Sequence, residues 1–371
     1  MFATHHPYHN VSTAGKFSSP FQALEAKNIR ILSIDGGGMR GIIPATILAQ
    51  LEQALIEKTQ NPATRLVDYF DFFTGTSTGG ILTCLYLLPD TQNPHRPKYS
   101  AQEVLDLYTE QGPLIFERSL KRKLTSLMGF THEKYDSRQM AKMLRHFMGE
   151  TRLDQLIRPC LIPAYDISQQ AAYYFTRDGA RQRSSDNFAV WQVAQSTASA
   201  PVYFEPTVAQ AEDGSLRTLL DGGIFANNPG LLAHSFLSKS TAGSRQNFTM
   251  VSLGTGCTAR AYRAEDFRAK GILRCWKPLV HVLGTAAKHG TEQQLRLLLS
   301  SGGNQYYRLN PKLTGLSTEM DKVSFGHLAA LQKLAQSYLD GTPQLLQQIA
   351  NAVMRSNSKS FQKLVHPAAV G

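Results

Sequence analysis

The sequence predicts an α/β fold: a mainly parallel central sheet with helices on both faces and a helical C-terminal segment. Three observations point there. Short apolar runs alternate with helix-like patterns over most of the 371 residues, the order expected when parallel strands are joined by crossover helices. Two run-to-helix junctions, at Gly36 to Gly41 and at Gly75 to Gly80, are glycine-rich turns of the kind found at the carboxyl ends of such strands. The chain is also 42% hydrophobic, enough to bury a large core in one big domain or two ordinary ones.

Residues 1–27 are polar, without the apolar core and small-residue cleavage pattern of a Sec signal, and are read as a mobile tail. His5, His6 and His9 in it have no downstream ligand spaced to complete a metal site. The main domain is expected over 28–310. Its elements are a strand at Ile29 to Ile34, a helix at Ile43 to Glu57, a strand at Tyr69 to Phe73 and a helix at Thr78 to Leu88. Pro89 to Tyr135 reads as loop-like and basic, with "FERSLKRKL" either a solvent-facing cationic helix or a lid. Further strands are expected at "RPCLIPAYD", "AAYYFTR", "LRTLLD" ending in Asp221, and "FTMVSLG". From 311 to 371, "FGHLAALQKLAQSYL" and "TPQLLQQIANAVM" carry apolar residues at three- and four-residue spacing, which predicts helices packed on the main domain.

Lys and Arg outnumber Asp and Glu by 39 to 28, and the net charge of +11 favours anionic surfaces such as phospholipid headgroups or nucleic acid. Cys84, Cys160, Cys257 and Cys275 lack the C-x-x-C spacing of a zinc site and read as reduced thiols. No stretch reaches the roughly 18 uninterrupted apolar residues of a membrane span. The expectation is a soluble, cytoplasmic protein peripheral to the membrane, with secretion as an effector the alternative.

Gly36, Gly38 and Gly41 have the G-x-G-x-x-G spacing of a dinucleotide-binding turn. Such a turn also needs an acidic residue about 20 positions on, at the end of the next strand. Here that region is still helical, with Glu52 and Glu57 expected on its polar face. What the glycines supply in either case is bare backbone, whose N–H groups can converge on one anionic atom at a helix N-terminus.

Gly75, Ser77 and Gly79 form G-x-S-x-G between a strand and a helix, the context of a sharp elbow that presents a nucleophilic serine. The N–H of Thr78, following the nucleophile, is a further oxyanion donor. A serine hydroxyl needs a base. His234 and His281 lie late enough to serve, but neither follows a predicted strand in a glycine-rich turn, so each reads as a packing or surface residue. The other candidate is Asp221, at the end of an apolar run before Gly222 and Gly223; its alternative is a turn-forming aspartate that caps its own backbone.

Taken together and in order, "DGGGMRG" at Asp35 to Gly41, "GTSTG" at Gly75 to Gly79 and "DGG" at Asp221 to Gly223 resemble the patatin family of lipid acyl hydrolases. The likeness extends through "RLVDYFD", "GPLIF", "KYD" and "ASAPVYFEP", while "GIFANNPG" departs from the plant pattern. The resemblance implies a three-layer patatin fold with Ser77 as nucleophile and Asp221 as its base, a dyad without histidine. It implies an oxyanion hole from the backbone of Gly36, Gly37 and Gly38 supported by Arg40, and requires no cofactor or metal. The implied substrates are phospholipids or glycolipids at a membrane surface, not a nucleic acid polymer. Two alternatives stand beside this: a patatin-like effector held inactive until a cyclic nucleotide or protein partner activates it, and a pure nucleotide-binding module.

Overall fold

The structure, a computed structural model, describes residues 28–115, 135–240, 246–257, 263, 265 and 271–355. The expected tail with His5, His6 and His9, the basic "FERSLKRKL" run and the side chains of Cys275 and His281 lie outside the described residues.

One eight-stranded sheet organises the molecule. Its centre is five parallel strands in the order β3 (Cys160–Asp166), β2 (Phe72–Gly75), β1 (Asn28–Ile34), β7 (Asn247–Leu253) and β8 (Gln305–Leu309). The remaining strands are antiparallel additions beside β3: β4 (Ala171–Thr176) and β6 (Leu216–Asp221) pair with it, and β5 (Thr207–Gln210) pairs with β6.

Successive strand residues point to opposite faces, so a sheet covered on both sides is mainly apolar along its strands. The central strands are, and their buried polar residues Arg30 and Thr74 are hydrogen-bonded. Leu32, Ile34, Phe73, Val251 and Leu253 join one core with α1 (Ile42–Thr59), α2 (Thr78–Leu87), α3 (Ala101–Ile115) and the C-terminal helices Phe325–Asp340 and Pro343–Arg355. Ile29, Ile31, Phe72, Leu161 and Met250 join a second core with the helices Gly230–Ser240 and Gly271–Leu298. The result is helix on sheet on helix, with the C-terminal helices sharing the larger core.

Three expectations change. The segment read as loop-like contains α3, whose Ala101, Val104, Leu105 and Tyr108 are buried at helical spacing. The strand placed at Tyr69 begins three residues later, because Leu66 to Asp68 form a short 3-10 turn and Tyr69 and Phe70 bond back to Leu66. Glu52 is not on a polar face. It is 4% exposed and accepts the N–H groups of Leu66 at 3.0 Å and Ala101 at 2.7 Å, tying the start of α3 to α1. Its burial raises its pKa against those two hydrogen bonds.

Two buried ion pairs lock the sheet to its surroundings. Arg30 bonds both carboxylate oxygens of Asp71, at 2.8 and 2.6 Å, and the Val353 carbonyl at 3.0 Å. Arg308 does the same to Asp35, at 3.0 and 2.6 Å, immediately before the first loop glycine.

Candidate active site

Ser77 turns the chain from β2 into α2 with φ 56° and ψ −122°, a conformation that costs a residue bearing a Cβ about 1–3 kcal/mol. Its surroundings enforce it. The Ser77 N–H donates to the Thr197 hydroxyl at 3.0 Å, Thr76 N–H to the Ile34 carbonyl at 3.2 Å, and the Thr76 hydroxyl to the Ala226 carbonyl at 2.6 Å. The flanking glycines are needed for clearance: a Cβ on Gly75 would lie 2.1 Å from the Gly79 carbonyl oxygen, and one on Gly79 2.2 Å from that of Ile34.

Asp221 was expected at the end of a parallel strand, yet β6 runs antiparallel to β3. The outcome for the site is the same, because β6 stops where the parallel strands end. Asp221 pairs with Ala164, and Thr74 pairs with Leu161, so three further residues along both parallel strands bring Ser77 level with Asp221. The Ser77 side chain faces the Asp221 carboxylate and lowers its pKa, and the Gly223 N–H donates to Oδ1 at 2.6 Å. Burial dominates and pushes the Asp221 pKa up to about 6, against the lowering effect of Ser77 and the Gly223 N–H. A carboxylate so placed is a stronger base than one in water.

The triple-glycine loop closes the third side. A Cβ on Gly36 would sit 3.2 Å from the Ser77 Cβ, so the loop abuts the serine. Its amides are not equivalent. The Gly36 N–H is taken by the Asn227 carbonyl at 3.0 Å, whereas those of Gly37, Gly38 and Thr78 meet no acceptor among the described residues. The loop's carbonyls are held from behind. Gly36 accepts from the Thr255 hydroxyl at 2.8 Å and from Lys288 Nζ at 3.2 Å; Gly37 accepts from Arg40 Nε at 3.3 Å; Gly38 accepts from the Tyr108 hydroxyl at 2.6 Å. Tyr108 also bonds the Thr78 hydroxyl, joining loop to elbow. Arg40 is buried, and desolvation lowers its pKa to about 10.

Of the histidines considered from the sequence, His234 packs edge-on against Phe248 at the start of β7, away from the carboxyl ends of the strands, and burial lowers its pKa. Asn227, Thr255, Tyr108, Lys288 and Arg308 were not singled out from the sequence. Only Asn227, inside "GIFANNPG", lies near a motif.

A family model described as patatin-like phospholipase matches residues 32–234, the span holding the glycine loop, the elbow and Asp221. The chain belongs to the patatin-like phospholipase family. Patatin-like protein 2 from Oryza sativa subsp. indica is 32% identical over 347 residues, 85% of each chain. Patatin group J-1 from Solanum tuberosum is 33% identical over 344 residues, 87% of this patatin-like chain and 86% of that one. Membership supports lipid acyl hydrolase activity in general. Probable inactive patatin-3-Kuras 1, also from Solanum tuberosum, is equally similar, 33% identical over 345 residues, 87% of this chain and 89% of that one. Overall likeness to the patatins therefore does not decide activity, and the reaction has to be argued from the residues at the site.

Proposed function

We propose that the protein hydrolyses carboxylic esters of membrane lipids, with Ser77 as nucleophile, Asp221 as base and the amides of Gly37 and Gly38 as the oxyanion hole. The observation that carries this reading is the strained Ser77 turn whose side chain faces a buried, basicity-enhanced carboxylate.

In the first step the Ser77 oxygen attacks the ester carbonyl carbon while Asp221 accepts the hydroxyl proton. The carbonyl π electrons move onto oxygen, where the Gly37 and Gly38 N–H groups receive them, with Thr78 N–H as a third donor. Collapse expels the alcohol, which takes the proton back from Asp221. Water then repeats the sequence on the acyl-serine, again giving its proton to Asp221, and releases the fatty acid. The expected role of Gly36 narrows to shaping the loop, since its N–H is already donated to Asn227. Arg40 acts one step back, holding the Gly37 carbonyl so that the Gly38 amide on the same planar peptide faces the other way.

Lipid is favoured by an exposed apolar pair beside this chemistry. Ile224 and Phe225, just after Asp221, are 52% and 37% exposed. The test is release of fatty acid from phospholipid and galactolipid vesicles by the wild type, Ser77→Ala and Asp221→Asn, with a fluorophosphonate probe of serine reactivity. Both variants are expected to lose at least about a thousandfold in kcat. Full activity in either would overturn the dyad.

A further inference from the structure

We propose that Lys288 is a positioning residue of the oxyanion hole: its ammonium clamps the Gly36 carbonyl, and through that peptide aims and polarises the Gly37 amide. The inference rests on the reading of Ser77 and the glycine loop given above, and adds a residue 252 positions from the loop in sequence.

The geometry starts from the planarity of the amide. In a trans peptide the C=O and the next N–H point in opposite directions, so fixing one fixes the other. The Gly36 oxygen accepts two hydrogen bonds, from Thr255 Oγ1 at 2.8 Å and from Lys288 Nζ at 3.2 Å. The Gly37 N–H is thereby turned away from Thr255 and Lys288, and it meets no acceptor among the described residues. Thr255, fully buried, would suffice to set a direction. What Lys288 adds is charge. A cation on the carbonyl oxygen draws electron density through the conjugated amide and makes its N–H a stronger donor; hydrogen bonds in series strengthen one another by about 10–30%.

The surroundings show that this ammonium is placed there at a cost. The charged or titratable groups facing Lys288 are Asp35, Arg40, Arg308 and Cys257. Asp35 is engaged by Arg308 in a buried bidentate pair, and Glu292, one turn further along the same helix, also bonds Arg308. The lysine thus feels two guanidiniums while its own hydrogen bond goes to a neutral carbonyl. Burial foremost, with Arg40 and Arg308 adding to it, brings its pKa down to about 8, only partly opposed by Asp35. The group is charged at neutral pH and loses its charge in a range where an esterase can be assayed.

A unit charge about 8 Å from a developing oxyanion, at an effective dielectric near 20, changes the rate by roughly tenfold to thirtyfold. The assay uses the full chain and p-nitrophenyl butyrate, a neutral soluble ester, so that charge at a membrane plays no part. Lys288→Met is expected to lower kcat by roughly tenfold to thirtyfold with KM within about twofold, and Lys288→Arg to recover most of it. The wild-type kcat should fall as pH rises through about 8, and that alkaline limb should vanish in Lys288→Met. Wild-type kcat in Lys288→Met, or equal losses in the Met and Arg variants, would overturn the proposal. Should the Met variant fold poorly, a wild-type profile flat from pH 7 to about pH 10 overturns it on its own. Ser77→Ala is run alongside: activity surviving there sinks the dyad reading, whereas a dead Ser77→Ala beside an unaffected Lys288→Met sinks only the role of the lysine.

Discussion

Gly37→Ala isolates the contribution of the oxyanion loop from that of the dyad. A Cβ at Gly37 would lie 2.2 Å from Thr255 Oγ1, 2.5 Å from its Cβ and 2.8 Å from its Cγ2. Thr255 cannot swing aside freely, being fully buried and bonded to the Gly36 carbonyl. Ordinary contact begins near 3.4 Å, so loop or threonine must move by about 1 Å. Because Thr255 holds the Gly36 carbonyl, either movement shifts the shared peptide and carries the Gly37 amide away from the ester oxygen. A misplacement of about 1 Å, or loss of one oxyanion donor, lowers kcat by roughly a hundredfold to a thousandfold. At Gly37 φ is 171°, outside the left-handed region that favours glycine, so the collision with Thr255 is the main effect of alanine. The effect is therefore expected in kcat on p-nitrophenyl butyrate, with the thermal midpoint moving only slightly. Pairing the change with Thr255→Gly, which removes the colliding atoms, should restore part of the rate. A folded Gly37→Ala enzyme with kcat within about threefold of wild type would refute the assignment of this loop to transition-state charge.

The remaining predictions concern pH, stability and control. Asp221 works as a carboxylate, and its pKa is raised to about 6, so kcat/KM should be lost as pH falls through about 6 and be independent of this group well above it. A pH–rate profile with its acid limb near the ordinary carboxylate value would contradict a buried base. Arg30→Met should remove the bidentate partner of the buried Asp71 carboxylate, leaving it the residue-30 N–H and the charge of Arg158, and cost about 3 kcal/mol in denaturant unfolding, with kcat of the folded fraction unchanged. Adding cyclic nucleotide to the hydrolysis assay should leave the rate unaltered; a marked activation would favour a gated effector.

Much of this architecture is written in short contiguous stretches. Strand, glycine turn and helix follow one another directly around Asp35 and again around Ser77, so local pattern and final geometry coincide there. β5 and β8 escaped notice for a physical reason. They are the two ends of the strand order, and "TVAQ" and "QYYRL" carry polar or half-exposed residues where central strands are apolar. The helix Gly271–Leu298 was hidden by Pro278, Gly284 and Gly290, each a helix-breaking signal that tertiary packing overrides. α3 carries Pro113 in its last turn, which masked the buried spacing before it. At the site, the serine, the aspartate and the loop announce themselves by motif. The groups that brace the loop do not: Thr255, Lys288 and Arg308 lie more than 200 residues downstream in segments without a signature, and a single lysine on a helix reads as a solvated one. Glu52 shows the same limit, since only its distant partners Leu66 and Ala101 explain a buried carboxylate.

The positive φ at Ser77 also bears on how such a chain can drift. Glycine would occupy that turn without strain, but it would abolish the nucleophile. A descendant under no demand to cleave esters is thus free to relax this one bend and become harder to melt, so that at the elbow enzymatic competence and thermal endurance are selected in opposite directions.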